Sequence, residues 1–340
     1  MPKTRPAALS RRAALSLALG AALASAGPAA AADKVVLMLN WYVYGEHAPF
    51  FYGKAKGIYA AEGIDLEIQE GRGSAITTQA VAAKTVPFGY VDVPTMIKAA
   101  AKGAPVIATG VLLQRNPMAV MGFAEKNIRK AEDLKGKTVA TTPGDSMSQI
   151  WPLFLKKAGL KESEMRILTG DGQTKLNAVI NGQADVLLGY AMDQSMKIKD
   201  ATGKSTVPIM FSDYGVNLVS SGIVTNREWA KENPDLVRRF MTASTKAVEA
   251  AERAPKEAVE AVLAALPKAG KPETLLEGFQ LTIPLYRTAA TKDGRPFQVT
   301  DANMADTLDV LVGYGGVAAS AKDDPKRFYT RDYLPSGATN

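Results

Sequence analysis

Residues 40–47 read Asn-Trp-Tyr-Val-Tyr-Gly-Glu-His, which puts an amide, three aromatic rings and the only histidine of the chain, His47, in one short stretch. Rings in such a stretch stack on planar ligands, and the amide and imidazole supply hydrogen bonds. The plainer reading is that the rings only pack a core. Trp41 follows polar Asn40 in a loop after an apolar run, which favours ligand contact. His47 reads as a binding or structural contact, because a general base needs a partner that orients it. No G-x-S-x-G elbow occurs, and no catalytic residue is assigned.

Two turns add polar groups. Gly71-Arg72-Gly73-Ser74 precedes one predicted helix and Thr141-Thr142-Pro143-Gly144-Asp145-Ser146 another. Free N–H groups at a helix start bind anionic or ring acceptors. Gly73, Ser74, Thr142 and Ser146 are therefore candidate contacts, with Ser74 also expected to cap its helix. An Asp145 cap would set a negative charge against any anion at that end. Asp92 and Asp193 end apolar runs and suit a ligand amino group, although each could simply cap a helix. Tyr190, in the same run as Asp193, and Asn217 complete the candidate set.

Short apolar runs alternating with amphipathic stretches must position these residues. Strands are predicted at 35–39, 64–68, 87–91 and 105–111, then at 137–141, 165–168, 184–189 and 207–211. Helices are predicted between them, at 48–56, 74–83, 95–102, 146–158 and 173–181. This βαβ rhythm predicts α/β architecture with parallel sheets. After Ser221 only helices are predicted, at 234–251, 255–266, 272–286 and 301–314; proline opens three of these. The expected organisation is two lobes with a cleft between them. Residues 33–116 and 223–340 form the first lobe, 117–222 the second, with crossings near 114–122 and 220–226.

Composition narrows the function classes. The chain has 340 residues, 46% of them hydrophobic, and a formal charge of +7. Residues 1–32 hold Lys3, Arg5, Arg11 and Arg12 and no acid; without them 37 basic residues face 34 acidic ones, a charge of +3. That balance gives no basic face for nucleic acid. With no cysteine, disulfides, thiolate catalysis and cysteine-ligated zinc are excluded, and with one histidine no metal site or cofactor is assigned. Residues 1–32 have signal-peptide anatomy: a positive start, an apolar run over 13–26, Gly27-Pro28, and Ala30-Ala31-Ala32 as a cleavage site near Ala32. Ser10-Arg11-Arg12 is compatible with a twin-arginine signal, and the general secretory route is equally open. No other segment has 18 consecutive apolar residues.

Several segments together carry a resemblance. They are Leu39-Asn40-Trp41 with His47, the stretch Phe51–Ile68, Gly73-Ser74-Ala75, Phe88-Gly89-Tyr90-Val91-Asp92, and Asp133-Leu134-Lys135-Gly136-Lys137. In this order and spacing, over nearly all of residues 35–334, the chain resembles the periplasmic binding proteins of nitrate, alkanesulfonate, taurine and thiamine-pyrimidine-precursor importers. Fungal thiamine-pyrimidine synthases are relatives of that family. The resemblance implies a two-lobed, type II-like periplasmic-binding-protein fold that closes on a small molecule. It also implies partnership with an ABC permease and its ATPase, and a monomer in the periplasm. In the pyrimidine-binding branch a tryptophan and a histidine at the places of Trp41 and His47 line the cleft. That branch often has an aromatic pair and a glutamate where this chain has Tyr190-Ala191-Met192-Asp193, a departure that loosens the link to thiamine precursors. The expected ligand is a small planar heterocycle of aminopyrimidine type. The alternative is a small anion such as a sulfonate, nitrate or aromatic carboxylate. An enzyme of the synthase kind ranks last, because its implied chemistry needs a cysteine-rich iron site.

Overall fold

The computed structural model describes residues 1–2 and 31–337, so most of the predicted leader lies outside the described residues. Two five-stranded sheets organise the rest. The first contains β1 (Asp33–Met38), β2 (Ile64–Gln69), β3 (Phe88–Asp92), β4 (Val106–Val111) and β10 (Ser221–Asn226), in the order β2-β1-β3-β10-β4. The second contains β5 (Met118–Phe123), β6 (Thr138–Thr141), β7 (Arg166–Thr169), β8 (Val186–Tyr190) and β9 (Thr206–Met210), in the order β7-β6-β8-β5-β9.

The expectation of parallel sheets needs correction. β10 runs antiparallel between β3 and β4, and β5 antiparallel between β8 and β9. Both strands fall on the segments that the sequence marks as crossings. Only residues 112–117 separate β4 from β5, so no helix lies between them. The chain instead changes sheets there and returns over residues 211–220.

Helices cover the sheets. The first part of the chain carries α1 (Ala48–Ala55), α2 (Ile58–Ala61), α3 (Ser74–Ala82) and α4 (Val93–Ala101). The middle carries α5 (Ser146–Ala158), α6 (Gly172–Ile180) and α7 (Gln194–Thr202). The C-terminal part carries α8 (Arg227–Glu232), α9 (Pro234–Arg253), α10 (Pro255–Ala265), α11 (Pro272–Thr282) and α12 (Asp301–Tyr314). α9 lays one apolar stripe on the first sheet, where Phe240 stacks on Phe88 with centroids 3.9 Å apart. On one face of the second sheet Ile150, Trp151 and Phe154 of α5 join the main core. On the other, Leu176, Val179 and Ile198 of α6 and α7 enclose a smaller one. Among the described residues no helix is long and apolar enough to cross a membrane.

This arrangement brings the carboxyl ends of β1, β3, β6 and β8 to one place. Asn40 follows β1, Asp92 ends β3, Thr142 follows β6 and Tyr190 ends β8. Ligands bind at such strand ends in open α/β sheets.

Candidate functional site

A cavity lies where the strand ends of the two lobes meet. The first lobe contributes Asn40, Trp41, Tyr44, Gly73 and Ser74; the second contributes Asp145, Ser146, Met147, Lys175, Tyr190, Asp193 and Gln194. The lobes are closed upon each other. The Ala75 N–H donates to the Gly144 carbonyl at 3.2 Å, and the Tyr42 hydroxyl to Asp193 Oδ2 at 2.8 Å. The cavity that remains is about 30 Å³, too small for an organic ring. Any organic ligand therefore enters and leaves through parting of the lobes.

Asp193 is the acid best placed to bind. It stands at the start of α7 but makes no capping bond with its side chain. Instead Oδ2 accepts from Tyr42 and from Gln194 Nε2, while Oδ1 is buried without a partner. Burial pushes its pKa up, opposed by Lys197, by the Tyr42 bond and by Lys175. The indole Nε1 of Trp41, in the facing wall, is also buried and unpaired. A buried polar atom without a partner costs about 1–3 kcal/mol. A ligand offering an N–H to Asp193 and an acceptor to Trp41 would recover that cost.

Lys175 is the unforeseen member. It is buried in α6, donates to Asp145 Oδ2 at 3.1 Å, and lies 5.1 Å from the ring centroid of Trp41 in the opposite lobe. Asp145 also caps α5 by accepting from Ser148 N at 2.7 Å. Lys175 is thus matched by Asp145, and the remaining carboxyl of the lining, Asp193, has Lys197 nearby but outside the lining. One N–H of the first turn of α3, that of Ala75, is already given to Gly144. The wall therefore has no net positive charge and one fewer free helix donor to offer an anion.

Behind the wall lies a buried relay. The Tyr190 hydroxyl meets Ser146 Oγ at 3.3 Å and Ser220 Oγ at 3.1 Å, and Ser220 Oγ donates to Asp92 Oδ2 at 3.4 Å. Asp92 caps α4 through Thr95 N at 3.0 Å, and burial raises its pKa to about 7. An unfolded Asp92 loses its proton near pH 4, while the folded one keeps it to near pH 7. Its contribution to stability therefore falls as pH rises through that window, by on the order of 4 kcal/mol in full. Asp92→Asn, which can still cap, should gain stability relative to the parent between pH 4.5 and pH 8. Urea unfolding of both proteins at the two pH values checks this; a constant difference would contradict it.

Each residue singled out above has a definite place. Asn40, Trp41, Gly73, Ser74, Ser146, Tyr190 and Asp193 line the cavity. Gly73, not Ser74, stands at the cap of α3, and the Ser74 hydroxyl accepts from Asp92 N at 3.0 Å. Asp92 is one layer back. Thr142 is buried beside Asp145 with its hydroxyl unpaired, outside the lining. His47 lies behind Tyr44, ring centroids 4.6 Å apart, and its Nε2 donates to Asn40 Oδ1 at 3.0 Å. Burial lowers its pKa to about 3, so it is a neutral donor that orients Asn40. Asn217 is exposed on the other side of the crossings. Glu46, fully buried and held by the hydroxyls of Tyr44 and Tyr90, escaped the sequence reading, as did Met147, Lys175 and Gln194. For Lys175 a signal existed: it shares an apolar stripe of α6 with Val179, four residues on. Among the described residues no three His, Asp or Glu side chains gather at metal-binding spacing.

Two α/β lobes, joined by two crossings and closed on a cavity at their strand ends, define the periplasmic-binding-protein fold. The chain belongs to the NMT1/THI5-like family, whose profile matches residues 45–258. It is 26% identical to the riboflavin-binding protein RibY of Chloroflexus aurantiacus, over 94% of this chain and 92% of that protein. It is 25% identical to the 4-amino-5-hydroxymethyl-2-methylpyrimidine phosphate synthase of Legionella pneumophila, over 89% of this chain and 93% of that one. The alkanesulfonate-binding protein SsuA of Xanthomonas axonopodis, solved with MOPS bound, shares the fold. It matches with a TM-score of 0.63 at 16% identity, over 89% of this chain and 96% of that one.

Proposed function

We propose that this chain is the solute-binding subunit of an ABC importer, exported to the periplasm by its leader, acting as a monomer and handing its ligand to a permease driven by an ATPase. The ligand is a small planar heterocycle that carries an amino or ring N–H group, of aminopyrimidine type. One observation carries the reading: Asp193 Oδ1 is buried, unpaired and held in place by Tyr42, in a cavity walled by Trp41, Tyr44 and Tyr190. The rings supply stacking faces, and the carboxylate supplies the acceptor that an amino group seeks. Relatives named for a flavin and for a pyrimidine support the ring class. The neutralised Lys175 speaks against a small anion. With no cysteine, the chain also lacks the cysteine ligands of the iron site that the synthase resemblance implies.

Calorimetry with 4-amino-5-hydroxymethyl-2-methylpyrimidine and with ethanesulfonate tests this. The pyrimidine is expected to bind and the sulfonate to give no heat. Asp193→Asn should weaken pyrimidine binding at least tenfold, about 1.4 kcal/mol. Tighter binding of the sulfonate, or an Asp193→Asn variant that binds like the parent, would contradict the reading.

A further inference from the structure

Next to the cleft cavity lies a larger chamber, of about 200 Å³. Leu176 of α6, with Met192 and Met196 at and before the first turn of α7, lines one side of it, and Leu275 of α11 the other. Tyr44 and Asp193 line both spaces. They come from opposite lobes, so parting the lobes joins the chamber to the cleft. Beside the chamber α11 comes close to the second lobe. An added Cβ on Gly278 would lie 2.9 Å from the Met192 carbonyl oxygen, and Glu277 pairs with Lys199 of α7 at 3.2 Å.

Apart from Asp193, the charges of the chamber are already matched. Asp200 is paired with Lys271, and the Lys197 ammonium lies 3.6 Å from the centroid of the Tyr42 ring and near Asp193. Thr274 is the other polar side chain of the lining. The rest of the surface on offer is apolar, from Leu176, Met192, Met196 and Leu275. Methionine side chains adapt to the shape of what they enclose. The size is also informative. Sites for whole small molecules begin at about 300 Å³, whereas an apolar cavity of about 150 Å³ holds one benzene ring. The chamber is thus sized for part of a ligand.

We propose that this chamber sets the specificity of the cleft by taking an apolar substituent, about the size of a phenyl ring, carried by the heterocycle that Trp41 and Asp193 bind. The inference rests on the ring reading of the cleft and narrows its ligand class. Asp193 borders both spaces, so a ring that gives its amino group to Asp193 has an edge at the mouth of the chamber. A substituent on that edge takes the apolar walls, and its own surface, out of water. A charged substituent gains no such term and finds no unmatched charge of opposite sign.

Calorimetry with 4-amino-2-methylpyrimidine and with its 5-benzyl and 6-benzyl derivatives tests this. At least one benzyl derivative is expected to bind tenfold or more tighter than the parent pyrimidine. Met196→Glu, at a half-buried position of α7, and Thr274→Trp, which fills the chamber from α11, should each bring that ratio close to one while the melting temperature shows the variant folded. Two variants on different helices keep the test open if one fails to fold. Pyrimidine binding with no gain from either benzyl group would overturn the chamber and leave the ring reading standing. So would a gain that survives both substitutions. Failure of all three compounds to bind would overturn the ring reading, and the chamber with it.

Discussion

Replacing Gly73 by alanine is expected to keep the lobes from closing and to weaken ligand binding at least a hundredfold, about 2.8 kcal/mol. Gly73 has φ +135°, a conformation that side chains rarely adopt, and its N–H donates to Asn40 O at 2.8 Å. A Cβ there would lie 2.5 Å from the Gly144 carbonyl oxygen and 2.8 Å from its carbon, in the other lobe. Those atoms are backbone, so no rotamer change relieves the clash, and the lobes themselves must move apart. The shift also breaks the Ala75–Gly144 hydrogen bond that spans the cleft. Small-angle scattering separates this from simple loss of stability. The parent should compact on saturation with ligand, and Gly73→Ala should stay extended while remaining folded. A variant that compacts and binds like the parent would remove Gly73 from the closing surface.

Trp41→Ala is expected to lower affinity at least tenfold, about 1.4 kcal/mol. The indole belongs to the first lobe but reaches the second. It lies over Gly172 at the start of α6, where an added Cβ would meet it at 2.7 Å, and beneath Lys175. Its loss removes a stacking face, a free Nε1–H donor and a contact of the closed form together. Trp41→Phe divides these: it keeps a ring and discards the donor, so calorimetry should place it between the parent and Trp41→Ala. Equal affinity for all three proteins would take Trp41 out of the site.

Much of the architecture was legible because the chain punctuates itself. Glycines and prolines end or begin most helices, and β1 and β2 alternate buried residues with less buried ones. β5 and β10 were not, since both are buried throughout and show no alternation, and their antiparallel direction is a property of the sheet they join. The residues at strand ends could be named because topology sends such residues to a cleft. Lys175 was hidden because a charge within a helix ordinarily faces water; only the closing of α6 against Trp41 and Asp145 buries it. Asp92 and Asp193 read alike in the sequence. The fold separates them, making one a helix cap behind the wall and leaving the other with a free oxygen in it. Asn217 sits at a crossing, as read, yet its side chain lies across the crossings from the cleft.

An amino-bearing planar ring is expected to sit between Trp41 and Asp193, with the lobes parted enough to admit it. Native mass spectrometry of the freshly purified protein, followed by release and ultraviolet spectroscopy of whatever is carried, tests it most directly. One molecule per chain is expected, nitrogen-containing and absorbing as an aromatic heterocycle, and lost in Trp41→Ala. A released sulfonate, nitrate or other small anion with no such absorbance would contradict it.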